Sequence, residues 1–186
     1  MIDLINVSKQ FGEQVLFENV TFKINKGDRI GLVGKNGVGK STLFRILMDE
    51  TDKDAGEIHR QKNLTIGYLP QEIDINSNLS VIDEVLKGAD NILEVEKEIE
   101  KLSIKISEEF SEANFKKLSN LQNQFEFFEG FSLKYKAEKI LAGLGFQEKD
   151  FLAQFTTLSG GMKMRVYLAK LLLKNPDLLL MDEPTN

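Results

Sequence analysis

The chain contains no cysteine and no tryptophan, a single histidine and three prolines among its 186 residues. Without cysteine, disulfide scaffolds and thiolate zinc sites are excluded. Long apolar runs are missing too: the longest, near Leu171–Leu173 and Leu178–Met181, fall far short of the about 18–20 residues that span a bilayer. No basic, apolar and small-residue signal opens the chain, so we expect a soluble, cytoplasmic protein with no membrane segment of its own. A surplus of basic charge is also lacking. The net charge is −5, and residues 81–150 hold 15 acidic against 10 basic side chains while the flanks are close to neutral. A broad basic footprint for phosphate backbones is therefore absent, which disfavours nucleic acid as a direct, non-specific partner. What is present is 41% hydrophobic residues, enough for a packed core in one domain or a domain with an inserted lobe.

Periodicity organises the rest. Ile2, Leu4, Val20, Phe22 and Ile24 alternate with polar residues, as one buried face of a sheet requires. Lys26-Gly27-Asp28 reads as a turn, and Arg29–Val33 as a short apolar strand entering a glycine-rich loop. From Ser41 to Met48 the pattern turns helical, with Leu43, Ile46 and Leu47 on one face. Gly56–Arg60 and Leu64–Leu69 read as two more strands. Between 90 and 128 the pattern changes: Ile92, Val95, Ile99, Leu102 and Ile106 form a heptad seam, followed by Phe115, Leu118, Leu121, Phe125 and Phe128. This is either an antiparallel helical hairpin or two amphipathic helices packed on the body. Further helices are expected at Leu133–Leu144 and Gly161–Lys174, and a last strand at Leu178–Met181.

Three motifs carry chemistry. Gly34-Lys35-Asn36-Gly37-Val38-Gly39-Lys40-Ser41, with Thr42 following, matches the P-loop pattern between a strand and a helix. Its glycines let the backbone wrap closely, so that N–H groups and the helix N-terminus face phosphates. Lys40 would reach the β- and γ-phosphates, and the Ser41 hydroxyl would bind Mg²⁺. The apolar run Leu178–Met181 delivers Asp182 and Glu183 at its carboxyl end, where ligands bind in open α/β sheets. Asp182 suits Mg²⁺, through water, and Glu183 a general base for attacking water. Many strands simply end in charge; the P-loop gives this pair its meaning. Leu158-Ser159-Gly160-Gly161-Met162 opens a helix and is either an N-cap by Ser159 or a second anion-receptive terminus.

In this order the motifs resemble the nucleotide-binding domain of an ATP-binding cassette (ABC) ATPase. The resemblance implies an α/β fold: a P-loop NTPase core with an N-terminal antiparallel β-subdomain and an inserted α-helical subdomain. It places the core at 1–71 and 158–186 and the helical subdomain at 72–157, including the hairpin at 90–128. ATP and Mg²⁺ are the implied cofactors. Phe11 stands where an aromatic stacks on adenine, and Gln71, in Tyr68-Leu69-Pro70-Gln71-Glu72, where a glutamine senses Mg²⁺ and the γ-phosphate. A core side chain and a polar loop residue are the respective alternatives. The family holds ATP between two cassettes, so Ser159, Gly160 and Gly161 would act on the nucleotide of a second cassette. Lys40, Gln71 and Glu183 become the catalytic candidates, and Ser41, Gln71 and Asp182 the metal candidates.

Within that family the chain is most similar to the ABC-F group, through Met162-Lys163-Met164-Arg165 after the signature, Tyr-Leu-Pro-Gln-Glu, and Asn186 after Pro184-Thr185. The segment from Phe128-Glu129-Gly130 through Leu144-Gly145-Phe146 also resembles the N-terminal cassette of that group. ABC-F proteins are soluble, carry two cassettes in tandem, and several act on the ribosome, which makes the ribosome a candidate partner. The alternatives are the ATP-binding subunit of a membrane transporter and a nucleotide-gated interaction module without useful turnover. The sequence stops inside a motif that continues in the family, ahead of its D-loop and switch histidine. His59, on a strand before Gln71, does not replace that histidine. The chain as it stands is accordingly expected to bind ATP and to hydrolyse it very slowly. The acidic hairpin also departs from what a ribosome- or tRNA-probing arm would make easiest to defend.

Overall fold

The computed structural model describes residues 1–73 and 77–183, so the Pro184-Thr185-Asn186 part of the family resemblance lies outside the described residues. The chain divides into two compact units, Met1–Gln71 with Pro176–Asn186, and Glu72–Asn175.

In the first unit, β1 (Ile2–Phe11) lies between β2 (Gln14–Ile24) and β3 (Ala55–Arg60) in an antiparallel sheet of order β2-β1-β3. Ile2 faces Ile24 and Leu4 faces Phe22, while on the other side Leu4 faces Ile58. The alternation of Ile2, Leu4, Phe22 and Ile24 thus sets the register, because a one-residue slip would turn the apolar set to solvent. Between Leu4 and Val7 the ladder is irregular. Asn6 there takes a left-handed φ of 52°, and its N–H turns to the Thr21 hydroxyl at 2.8 Å. Helix α1 (Lys40–Leu47) covers this sheet's apolar set through Leu43 and Leu47. Each fully buried side chain of that size contributes about 1.5–3 kcal/mol.

A separate parallel pair, β4 (Ile66–Leu69) and β5 (Leu178–Met181), matches Ile66 with Leu178 and Leu69 with Met181. Its entrance is clamped by Asp177. The Asp177 carboxylate accepts from the Thr65 N–H at 2.9 Å and the Thr65 hydroxyl at 2.8 Å, and those bonds hold it below the usual carboxylate range. This clamp fixes which residues leave the two strands together at the far end.

One expected strand does not form. Arg29–Val33 has no paired neighbour among the described residues, and Ile30 and Val33 are 57% and 95% exposed. A strand needs a partner for its N–H and C=O groups, and among the described residues Arg29–Val33 pairs with none, although β5 has β4 on one side only.

The second unit holds α2 (Val81–Leu86), α3 (Asp90–Glu108), α4 (Glu112–Phe127), α5 (Leu133–Gly143) and α6 (Gly160–Lys174). Val81, Val85, Ala137, Leu141, Phe155, Val166 and Ala169 form its core. The division by compactness falls at a different place from the boundary expected between 157 and 158. Residues 158–175 belong with the helices, because α6 packs its Val166 and Ala169 against α2 and α5. Helices α3 and α4 pack on one another as a hairpin, with Glu98 and Lys117 paired across it. The seam from Ile92 to Ile106 is half-buried, and α3 buries no residue completely. Phe115 and Phe128, expected inside, are 55% and 42% exposed.

Candidate functional site

The P-loop leads from Gly34 into α1, and two of its glycines make that entry possible. Gly37 and Gly39 have φ of 82° and 96°, the left-handed region that L side chains rarely adopt. At Gly39 a Cβ would also meet Leu16 at 3.0 Å. The chain therefore turns tightly into α1, and the first N–H groups of that helix have no partner within it. The Lys40 ammonium bends back over the loop and donates to the carbonyls of Gly34 at 2.8 Å and Lys35 at 3.1 Å. That leaves it one further hydrogen to give.

A cleft of about 480 Å³ opens beside this loop. Asn36, Gly37, Gly39, Lys40, Ser41 and Thr42 line it. Phe11, from the end of β1, and Gln14 and Leu16, from β2, line it as well, and so do Gln71 and Glu183. Gly34, Lys35, Val38 and Asp182 are not part of the lining, although the first two hold Lys40. Ser159, Gly160 and Gly161 belong to the other unit and do not line the cleft. There Ser159 is the N-cap of α6 and accepts from the Met162 N–H at 3.4 Å.

Phe11 is 55% exposed, which removes the core alternative for it. Lys9, two residues earlier and so on the same side of β1, places its Nζ 5.1 Å from the centre of the Phe11 ring. That ammonium is tied to Asp54 at 2.8 Å, and the Asp54 carboxylate also accepts from the Gln10 N–H. These two bonds, the Lys9 one foremost, hold Asp54 below its ordinary pKa.

The carboxyl ends of β4 and β5 bring the remaining candidates together. The Asp182 N–H donates to the Leu69 carbonyl at 2.9 Å, carrying the ladder one step past Met181. Two residues beyond Leu69 stands Gln71, whose Nε2 donates to Oε2 of Glu183 at 2.8 Å. Glu183 takes a φ of 49°, unusual for a residue with a Cβ. Asp182 is buried, and the Tyr68 hydroxyl donates to its Oδ2 at 3.3 Å. Burial raises the Tyr68 pKa, and the charge of Asp182 raises it further.

The donors suit Mg²⁺. That ion takes one or two carboxylates with hydroxyl and phosphate oxygens rather than a full protein cage. Ser41 offers a hydroxyl and Asp182 a carboxylate of the kind that ion takes, and among the described residues no cluster of three His, Cys, Asp or Glu side chains exists to favour another metal.

Lys9 and Tyr68 were not singled out from the sequence. Their signal was positional: Lys9 shares a strand face with Phe11, and Tyr68 lies on β4, just ahead of Gln71, and β4 pairs with the strand that Asp182 follows.

Comparison with known proteins agrees with this architecture. The ABC transporter family model matches residues 17–186. The chain is 35% identical over 190 residues to the ABC transporter ATP-binding protein YfmM of Bacillus subtilis, covering 100% of this chain and 36% of that protein. It is 32% identical over 193 residues to ABC transporter F family member 2 of Arabidopsis thaliana, covering 100% of this chain and 28% of that protein. It thus spans about a third of the length of these relatives or less. Among solved structures, an ATP-binding cassette seen as a dimer in a post-hydrolysis state with ADP and Pi shares the fold, at a TM-score of 0.63 and 22% identity over 100% of this chain and 75% of that one. No described helix is long and apolar enough to cross a membrane. With a two-unit fold, a P-loop cleft and a family match over nearly its whole length, the chain belongs to the ABC transporter family as an ATP-binding cassette, with ABC-F proteins among its relatives.

Proposed function

We propose that the chain binds MgATP in the P-loop cleft and hydrolyses it when paired with a second cassette, as part of an ABC-F type protein that acts in the cytoplasm on the ribosome. One observation carries the ATP reading: a single cleft is lined by the P-loop, by the exposed aromatic Phe11, and by Gln71 and Glu183. The ABC-F part rests on similarity along the whole chain to an F family member.

Phe11 would offer its open ring to the base, with stacking of about 1–3 kcal/mol. The N–H groups at the start of α1 and the ammonium of Lys40 would hold the phosphates. Mg²⁺, held by Ser41 and Asp182 with Gln71 in reach of the γ-phosphate, would neutralise the charge that spreads over the transferring phosphoryl group. Glu183 would accept a proton from the attacking water through the carboxylate that Gln71 now engages. Ser159 accepts from the Met162 N–H and so keeps its hydroxyl hydrogen to donate. With Gly160 and Gly161 it would meet the γ-phosphate of the partner cassette.

Glu183→Gln in the assembled cassette pair tests this. The amide preserves shape and still accepts from Gln71, but cannot take a proton. ATP affinity should hold while turnover falls by about 10²–10⁴-fold. Wild-type turnover would place the base elsewhere. The same ATP-locked variant should co-sediment with ribosomes only when ATP is supplied; sedimentation indifferent to ATP would remove the translation role and leave the ATPase reading intact.

A further inference from the structure

The Tyr68 hydroxyl donates to Oδ2 of Asp182 at 3.3 Å, and the fold explains why these two meet. Tyr68 pairs with Leu180 across β4 and β5. Leu180 is in the core under α1, and Asp182, two residues later, continues on that face. The Tyr68 ring stands edge-on to Phe44 of α1, with centroids 6.2 Å apart and planes at 64°. The helix that opens with Lys40 and Ser41 thus also steadies Tyr68. Asp182 is only 6% exposed, and a carboxylate that buried requires hydrogen-bond partners. Its N–H is fixed by Leu69 and its side chain by Tyr68, so the end of β4 sets both.

We propose that Tyr68 is a positioning residue for the metal site: its hydroxyl holds Oδ2 of Asp182 and turns the other carboxylate oxygen towards the ion. The inference rests on the reading of Asp182 as a metal-holding residue. A carboxylate restrained by one donor has lost its rotational freedom before the ion arrives, and so binds it with less ordering left to do. Phenylalanine at 68 would keep the ring and its contact with Phe44 and remove only the hydrogen bond.

The test uses Mn²⁺ as the metal probe, titrated by electron paramagnetic resonance into the ATP-loaded chain. ATP affinity is measured in parallel by calorimetry with all metal chelated. Tyr68→Phe should weaken Mn²⁺ binding by about tenfold, the lower end of what losing a partner of a metal ligand costs, and leave metal-free ATP affinity unchanged. In an Asp182→Asn background the same substitution should change nothing further. Retained Mn²⁺ affinity in Tyr68→Phe, with loss in Asp182→Asn, would overturn the inference and leave the metal site standing. Equal losses of Mn²⁺ and metal-free ATP affinity would reduce Tyr68 to a packing role and overturn it too. Retained Mn²⁺ affinity in Asp182→Asn would instead overturn the metal reading on which it rests.

Discussion

Gln71 and Glu183, 112 residues apart in sequence, are joined by a hydrogen bond of 2.8 Å from the glutamine amide to the glutamate carboxylate. The parallel pairing of β4 and β5 produces this contact. Leu69 faces Met181, and each partner leaves its strand two residues later. The amide proposed to reach the γ-phosphate is thus engaged with the carboxylate proposed to activate water, and nucleotide binding has to exchange that bond. Gln71→Leu should lower affinity for ATP relative to ADP by about 1 kcal/mol, the net value of one hydrogen bond, because ADP has no γ-phosphate to contact. Calorimetry with both nucleotides checks this, and equal changes for the two would separate Gln71 from the γ-phosphate.

Lys40 is the largest single contributor expected for nucleotide affinity. Its ammonium already sits on the carbonyls of Gly34 and Lys35, so it meets phosphates without first being ordered. Lys40→Ala should weaken ATP binding by about 2–4 kcal/mol, as expected when a charge loses its close partner. AMP, which lacks the β- and γ-phosphates, should lose far less. Unchanged ATP affinity in calorimetry would remove Lys40 from the phosphate site.

The P-loop and the Asp182-Glu183 pair were legible in sequence because their chemistry is local: glycine spacing and an apolar run ending in two carboxylates are visible within ten residues. The strand at Leu178–Met181 and the helix starting near Gly160 follow from periodicity for the same reason. Arg29–Val33 failed because strand formation depends on a partner, which a local apolar run does not report. The placing of residues 158–175 with the helices in the compact division is likewise not a local property. Helix α6 has apolar residues for either unit, and only packing through Val166 and Ala169 assigns it to the helices. Tyr68 on Asp182 arises from register across two strands, which no single segment encodes, whereas Lys9 over Phe11 follows from the two-residue alternation within β1.

Phe11 offers a separate test of how the base is held. Lys9 stands over its ring and is itself fixed by Asp54, so the ring is oriented before a ligand arrives. Phe11→Ala should cost ATP binding about 1–3 kcal/mol, the range for one base stacked on one aromatic ring. Inorganic tripolyphosphate, which has no base, should bind both forms equally. A loss that also extends to tripolyphosphate would mean that Phe11 shapes the loop and does not stack on the base.

The second unit carries a buried charge whose effect on stability has a definite sign in pH. Glu84 is 2% exposed and accepts from Lys170 at 2.9 Å and from Ser77 at 2.8 Å, with Lys87 at 3.4 Å. Burial pushes its carboxyl pKa upward, but the bonds from Lys170 and Ser77 and the charges of Lys170 and Lys87 together bring it below the ordinary glutamate value. A depressed folded-state pKa means that the contribution is complete above the unfolded value and is lost as pH falls through the folded one. Glu84→Gln should therefore loosen α2 and α6 by about 2–3 kcal/mol at neutral pH, since it leaves the Lys170 ammonium without its counter-charge. Hydrogen exchange of the α2 and α6 amides reads this locally. The gap between wild type and variant should close in acid, where Glu84 itself becomes neutral; a gap that stays constant from neutral pH into acid would show that packing, not the carboxylate charge, holds these helices together.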